Sequence, residues 1–190
     1  MSRALDRSFY TRTDVVCIAR ELLGKVLVTD IAGQRTAGVI SETEAYAGVG
    51  DRASHAYAGK RTRRNEPMYG VGGTTYVYLC YGIHHLFNVV TNNAEEPHAV
   101  LIRAIKPLEG IATMTARRAP AKATTAGPGT LSQALGIRTE HSGLDLLGGT
   151  IWIEDRGIMV PNNTVIIGPR IGVDYAGSDA LLPYRFRIAP

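Results

Sequence analysis

The chain's 190 residues are 45% apolar and 20% charged, which fits a single globular domain and speaks against a disordered or fibrous class. Its net charge of +4 rests on 21 basic residues, of which only Lys25, Lys60, Lys106 and Lys122 are lysines. Guanidinium groups suit bidentate phosphate contacts and make nucleic acid a candidate partner, although a genome rich in G and C would also favour arginine.

Taken in chain order, Met1 to Arg7 lack the apolar stretch of a secretory signal, and no later apolar run approaches the roughly 20 residues needed to cross a bilayer. An intracellular protein without membrane association is expected. Thr13-Asp14 reads as a helix cap ahead of Val15, Ile18, Ala19, Leu22 and Leu23 at helical spacing, with Gly24 as the stop. Residues 25–30 read as a strand, Ala32-Gly33-Gln34 as a turn and residues 35–44 as the hairpin partner. From Gly48 to Gly73 the pattern dissolves into a long loop, and such loops are commonly functional.

Two β-prone runs, Thr75 to Gly82 and Ile83 to Val90, then meet near a glycine. Strand alternation sends Tyr76 and Tyr78 to one face and Tyr81, beside the turn, to the other. Residues 99–105 form an apolar strand ending before Pro107, and a helix runs from near Leu108 to Arg117-Arg118. Residues 119–126 read as a flexible connection, and Thr130 to Leu135 as a short helix between Gly127-Pro128-Gly129 and Gly136. Short strands are expected around Trp152, Val165-Ile166-Ile167 and Tyr184-Arg185-Phe186. Cys17 and Cys80, too few for a disulfide framework, read as buried thiols in a reducing compartment. Without a repeat or an internal boundary, the reading is one mixed α/β (α+β) domain over residues 1–190. It would have a curved, largely antiparallel sheet, peripheral helices and a protruding β-hairpin.

Several residues could carry chemistry. Glu42 and Glu44 lie two apart at a strand end and would share a face, where like charges raise one carboxyl pKa towards that of a general base. Two isolated acids on a strand are more often a solvated face. Here, however, Ala45-Tyr46-Ala47-Gly48 leads straight into the loop that holds His55. His84-His85 is a poor metal pair, because neighbours in a strand point in opposite directions, and no HxH, HExxH or CxxC spacing occurs. No metal or cofactor is expected. Lys60-Arg61-Thr62-Arg63-Arg64-Asn65 is a basic segment suited to phosphate, or simply solvated surface. Arg103 interrupts an apolar strand and needs a partner, for which Glu44 is the candidate. Gly127-Pro128-Gly129 could offer backbone N–H groups to a phosphate at a helix start.

Together these pieces resemble the alkyladenine (3-methyladenine) DNA glycosylase family. The resemblance rests on Glu42-Thr43-Glu44-Ala45-Tyr46, His55, Thr62 with Arg64-Asn65, Met68, Tyr76-Val77-Tyr78 through Tyr81-Gly82, and Asn88. It continues through Leu101-Ile102-Arg103-Ala104, Gly127-Pro128, Gln133-Ala134-Leu135 and Arg170-Ile171-Gly172-Val173. The resemblance implies that Glu44 activates water against the anomeric carbon of an extruded nucleotide and that Arg103 helps hold that water. It implies a sandwich of the damaged base between Tyr46 with His55 on one side and Tyr78 on the other. Asn88 would lie at the pocket floor, disfavouring the exocyclic amino group of guanine, and Tyr81 would be the wedge that fills the gap in the duplex. Phosphate contacts would fall on Thr62, Arg63, Arg64, Gly127 and Gly129. Thr130, where the family often has lysine, and Ile83 beside the wedge depart from the pattern.

The implied partner is double-stranded DNA containing damaged purines, bound by a monomer. With no lysine at a matched catalytic position, a monofunctional enzyme that leaves an abasic site is expected, without strand cleavage. A non-catalytic binder of damaged or bent DNA is the alternative. A metal-dependent nuclease using Glu42, Glu44 and His55 is weaker, for want of ligand spacing.

Overall fold

A computed structural model describes residues 3–120 and 124–189. Its elements in chain order begin with β1 (Arg3–Ala4), α1 (Arg7–Tyr10), α2 (Val15–Glu21), β2 (Val26–Ile31) and β3 (Gln34–Tyr46). After the long loop come β4 (Thr75–Cys80), β5 (His84–Thr91), β6 (His98–Glu109), α3 (Ile111–Arg118) and α4 (Pro128–Leu135). Then follow β7 (Ile151–Asp155), β8 (Val165–Gly168) and β9 (Arg185–Ile188). The main path of the sheet runs β1-β7-β2-β3-β6-β5-β4, with β9 joining β3 to β8. All of these pairings are antiparallel. The mixed α/β class with a largely antiparallel sheet is therefore the fold.

Strand β3 organises the molecule. Its first half pairs with β2, while Glu42, Thr43 and Glu44 pair with β9 on that same edge and with β6 on the other. Register shifts on either side of Glu42 mark β-bulges, which bend the strand where the edge partner changes.

The period-two alternation divides the sheet into two faces. On one face α2 and α4 cover Ala45, Val77, Phe87, Val89, Val100 and Ile102 in the main core. The side chain of Asp14 caps α2 by accepting from the Cys17 amide at 2.9 Å, as its sequence position predicts. The other face carries Tyr46 from β3, Tyr76 and Tyr78 from β4, Asn88 from β5 and Arg103 from β6, all lining one cavity. Phe87 is fully buried at the centre of the helix-covered face. Phe87→Ala is expected to cost about 3–5 kcal/mol in chemical denaturation, through lost burial plus the cavity left behind.

Several expectations need adjusting. Strand β6 continues through Pro107 to Glu109, so the following helix starts at Ile111 rather than near Leu108. Helix α4 begins at Pro128, two residues early, because proline at a first helical position loses nothing. Of the connection at 119–126, residues 121–123 lie outside the described residues. The part that follows is tied down rather than loose. Thr125 Oγ1 donates to the Ile105 carbonyl at 2.6 Å, and Ala126 bridges to Ala104. Cys17 and Cys80 are partly exposed, not buried, and Cys17 Sγ lies 3.1 Å from Glu21 Oε1. The loop after β3 contains three short 3-10 turns, at Gly48–Gly50, Tyr57–Gly59 and Glu66–Tyr69.

Candidate active site

Glu44 lies on the cavity side of β3 and is fully buried. Three donors converge on its carboxylate. The Ile171 amide donates to Oε1 at 2.8 Å, the Tyr46 hydroxyl to Oε2 at 2.9 Å, and Arg103 Nη1 approaches Oε2 at 3.2 Å. A carboxylate offers about four lone-pair positions, so one on Oε1 remains for a further donor such as water. Burial pushes the Glu44 carboxyl above the usual glutamate range, while Arg103 pulls it back down. The carboxylate is itself absent from the cavity wall, whereas Tyr46, Arg103 and Ile171 all line it.

Arg103 has the acidic partner that its apolar strand demands, and a second one. Its Nε donates to Glu42 Oε1 at 2.9 Å, and Arg185 Nε donates to the same oxygen at 2.7 Å. Glu42 and Glu44 thus lie together, as their spacing predicts, but they act through a shared guanidinium rather than as a bare acid pair.

The cavity measures about 460 Å³, within the usual range for a small-ligand site, and Tyr46, Tyr76, Tyr78, Tyr81 and Tyr175 are among the residues that line it. His55 Nδ1 lies 2.8 Å from the Tyr76 hydroxyl. Burial, with Arg64 and Lys60 nearby, lowers the His55 imidazole to about 4, so the ring is neutral near pH 7. One expectation is corrected here. The His55 and Tyr78 ring centroids are 4.7 Å apart at 71°, in edge contact, so no base fits between them. Both therefore belong to one wall with Tyr76, and Tyr46 stands apart on β3. Strand alternation cannot reveal this, because His55 arrives from the irregular loop. Tyr76 is almost completely buried and serves mainly as packing and as the partner of His55.

Asn88 is buried beneath these rings and held by its own amide. Nδ2 donates to the carbonyls of Tyr76 at 3.1 Å and Leu86 at 3.3 Å. Tyr81 is different from every other aromatic here. It is 91% exposed, and its backbone takes a left-handed φ of 50°, followed by Gly82 at 75°. A three-residue turn thus joins β4 to β5, with the Ile83 amide donating to the Cys80 carbonyl at 3.2 Å. Strand parity stops at Cys80, so Tyr81 does not point to the opposite face. It stands at the rim of the same cavity, with Leu79 and Ile83 also exposed at the hairpin tip.

The remaining predicted residues flank this cavity. Thr62, Arg63 and Arg64 are exposed. The Thr62 amide donates to Asn65 Oδ1, Arg64 lies over the Tyr78 ring at 5.2 Å, and Arg63 lines an adjoining groove with Arg64. Gly127, Gly129 and Thr130 line the cavity at the N-terminus of α4, whose first N–H groups have no partner within the helix. A Cβ on Gly129 would come within 3.0 Å of the His84 ring, so glycine lets the hairpin and the helix meet. The Thr130 hydroxyl turns back to the Gly127 carbonyl at 2.8 Å.

Two contributors fall at positions that the resemblance includes without assigning them a role. Buried Asn65 donates to the backbone carbonyls of His55 and Lys60 at 3.0 and 2.8 Å, which fixes the loop behind the cavity. Ile171 lines the cavity and gives its backbone amide to Glu44.

Comparison with known proteins places the chain among the DNA glycosylases, enzymes of base-excision repair. The model of the family described as methylpurine-DNA glycosylase (MPG) matches residues 8–190, and the chain belongs to this family. Three relatives carry the name "Putative 3-methyladenine DNA glycosylase". The one from Chlamydia abortus is 48% identical over 186 residues, covering 96% of each chain. That of Myxococcus xanthus is 47% identical over 181 residues, covering 95% of this chain and 88% of its own. The Chlamydia pneumoniae relative is 44% identical over 190 residues, covering 98% and 95%.

Proposed function

We propose that this single domain, acting as a monomer on chromosomal DNA, extrudes alkylated or deaminated purines from the duplex and hydrolyses their N-glycosidic bond. A base inside a duplex cannot present its anomeric carbon to water, and extrusion costs a few kcal/mol. Tyr81, carried on its exposed turn, enters the vacated stack and offsets part of that loss.

The extruded base enters the aromatic cavity against Tyr46 on one side and the wall of Tyr78 and His55 on the other. The neutral imidazole supports this reading for cationic alkylpurines, because a charged ring there would repel them. Asn88, with its amide hydrogens committed to carbonyls, is a fixed obstacle at the floor that disfavours the 2-amino group of guanine, so that only a guanine made labile by alkylation is released.

Water held by Arg103 and Glu44 attacks the anomeric carbon. Its proton passes to Glu44, the C–N bond breaks, and the electron pair leaves on the purine nitrogen. A cationic purine departs neutral, whereas a deaminated purine leaves as an anion unless it is protonated as it goes. Thr62, Arg63, Arg64 and the backbone of Gly127 and Gly129 bind phosphates on either side. Among the described residues no lysine lines the cavity, and Lys60 lies in the adjoining cleft. This supports simple hydrolysis without a Schiff base, and borohydride is expected to trap no covalent adduct.

The observation that carries the reading is the buried, thrice-bonded Glu44 behind an open aromatic cavity. The test is a panel of duplexes, each with one defined lesion, assayed for free base. Release from 3-methyladenine, 7-methylguanine or hypoxanthine duplexes supports hydrolysis, whereas binding without release identifies a damage-recognition protein.

A further inference from the structure

We propose that Arg170 is a positioning residue for base excision, a buried clamp that touches neither the substrate cavity nor Glu44 yet fixes two of the three groups that hold Glu44. Its guanidinium is completely buried. Nη1 donates to the Ala45 carbonyl at 2.9 Å, and Nη2 donates to Asp51 Oδ1 at 2.9 Å and to the Asp179 carbonyl at 3.1 Å. The plane lies over the rings of Tyr46 at 4.9 Å and Tyr184 at 5.2 Å. One cation thus ties β3, the turn after it, the C-terminal 3-10 stretch Asp174–Leu181 and the segment before β9.

Burying an ion pair is costly and contributes little stability for its own sake, so its geometry points to what it holds in place. Tyr46, which it stacks on, donates to Glu44 Oε2. Ile171, its neighbour in the chain, donates its amide to Glu44 Oε1. Loss of the planar fork would leave Glu44 with Arg103 alone as a fixed donor. Lysine keeps the charge but cannot stack on two rings while reaching Asp51, Ala45 and Asp179 together.

The proposal rests on the glycosylase reading, and its test separates the two. Single-turnover base release from a 3-methyladenine or hypoxanthine duplex is measured across pH for wild type, Arg170→Lys and Asp51→Asn. Lesion-duplex affinity and melting temperature are measured alongside. The charged and titratable groups facing Glu44 are Arg103 from β6, Glu42 and Tyr46 from its own strand, and Arg170 and Tyr175 from the C-terminal segment, with Arg185 of β9 reaching Glu42. Removing the Ile171 and Tyr46 donors takes away stabilisation of the carboxylate, so the acidic limb of the profile moves to higher pH.

Arg170→Lys is expected to slow release at the wild-type optimum by about 10–100-fold, with affinity within threefold and that shift of the limb. Asp51→Asn should do the same more mildly. If Arg170→Lys does not fold, Asp51→Asn alone decides the matter by the same criteria. An unchanged rate and profile in a folded variant overturn the proposal, as does a rate loss that only follows the folded fraction. Absence of release by wild type would instead sink the glycosylase reading itself.

Discussion

Glu44→Gln leaves lesion-duplex binding within a few-fold of wild type and lowers base release by at least about 10³-fold, in the upper range for loss of a general base. The substitution is isosteric, so the cavity walls stay where they are. The glutamine carbonyl still accepts from the Ile171 amide, but the nitrogen that replaces Oε2 faces Arg103, donor against donor. Arg103 keeps Glu42 as a partner, so it is not left as an unpaired buried charge. What disappears is the acceptor for the proton of the attacking water.

The same assignment fixes the sign of the pH dependence in wild type. Burial raises Glu44, and the base works only when ionised, so release should climb with pH through an apparent pKa above the ordinary glutamate value. Single-turnover kinetics across pH check both points. Turnover of Glu44→Gln within tenfold of wild type would show that another group deprotonates the water.

Tyr81→Ser acts at the other end of the reaction. Its side chain is 91% exposed and packs on nothing in the free protein, so melting should be unaffected. Affinity for duplexes in which the lesion is paired should fall about 10–100-fold, the equivalent of one lost stacking contact. Where the lesion faces a mismatch the stack is already weakened, and the loss should be smallest. Titrations against paired, mismatched and undamaged duplexes read this directly. An equal loss on all three would make Tyr81 a general contact rather than a wedge. The backbone supports the wedge, because a bulky residue with φ of 50° is held in a rarely populated conformation that delivers the ring outward.

The site was legible in the sequence wherever it rests on strand alternation. Tyr76 with Tyr78, and Glu42 with Glu44, share a face because every second residue must, and the interrupted apolar pattern at Arg103 pointed to the carboxylate it meets, whereas Asn88 was placed only by the family resemblance. Legibility fails where position depends on irregular backbone. His55 reaches the wall of Tyr78 through a loop pinned by Asn65, and no periodicity encodes that path. Tyr81 escapes parity because its turn takes left-handed angles. Ile171 contributes a backbone amide, which any residue type supplies, so its side chain says nothing of its role. Arg170 lies more than a hundred residues from Ala45 and Asp51, and only the folded chain brings them together.

Hydrolytic release of a damaged purine by Glu44-activated water would leave distinctive products. The most direct measurement incubates a duplex carrying a single 3-methyladenine or hypoxanthine with wild type and with Glu44→Gln, then identifies the products by mass spectrometry. Hydrolysis through Glu44 predicts free base and an intact strand bearing one abasic sugar with wild type, and bound but unprocessed duplex with the variant. A nicked strand, a covalent protein–DNA adduct, or equal release by both proteins would contradict it.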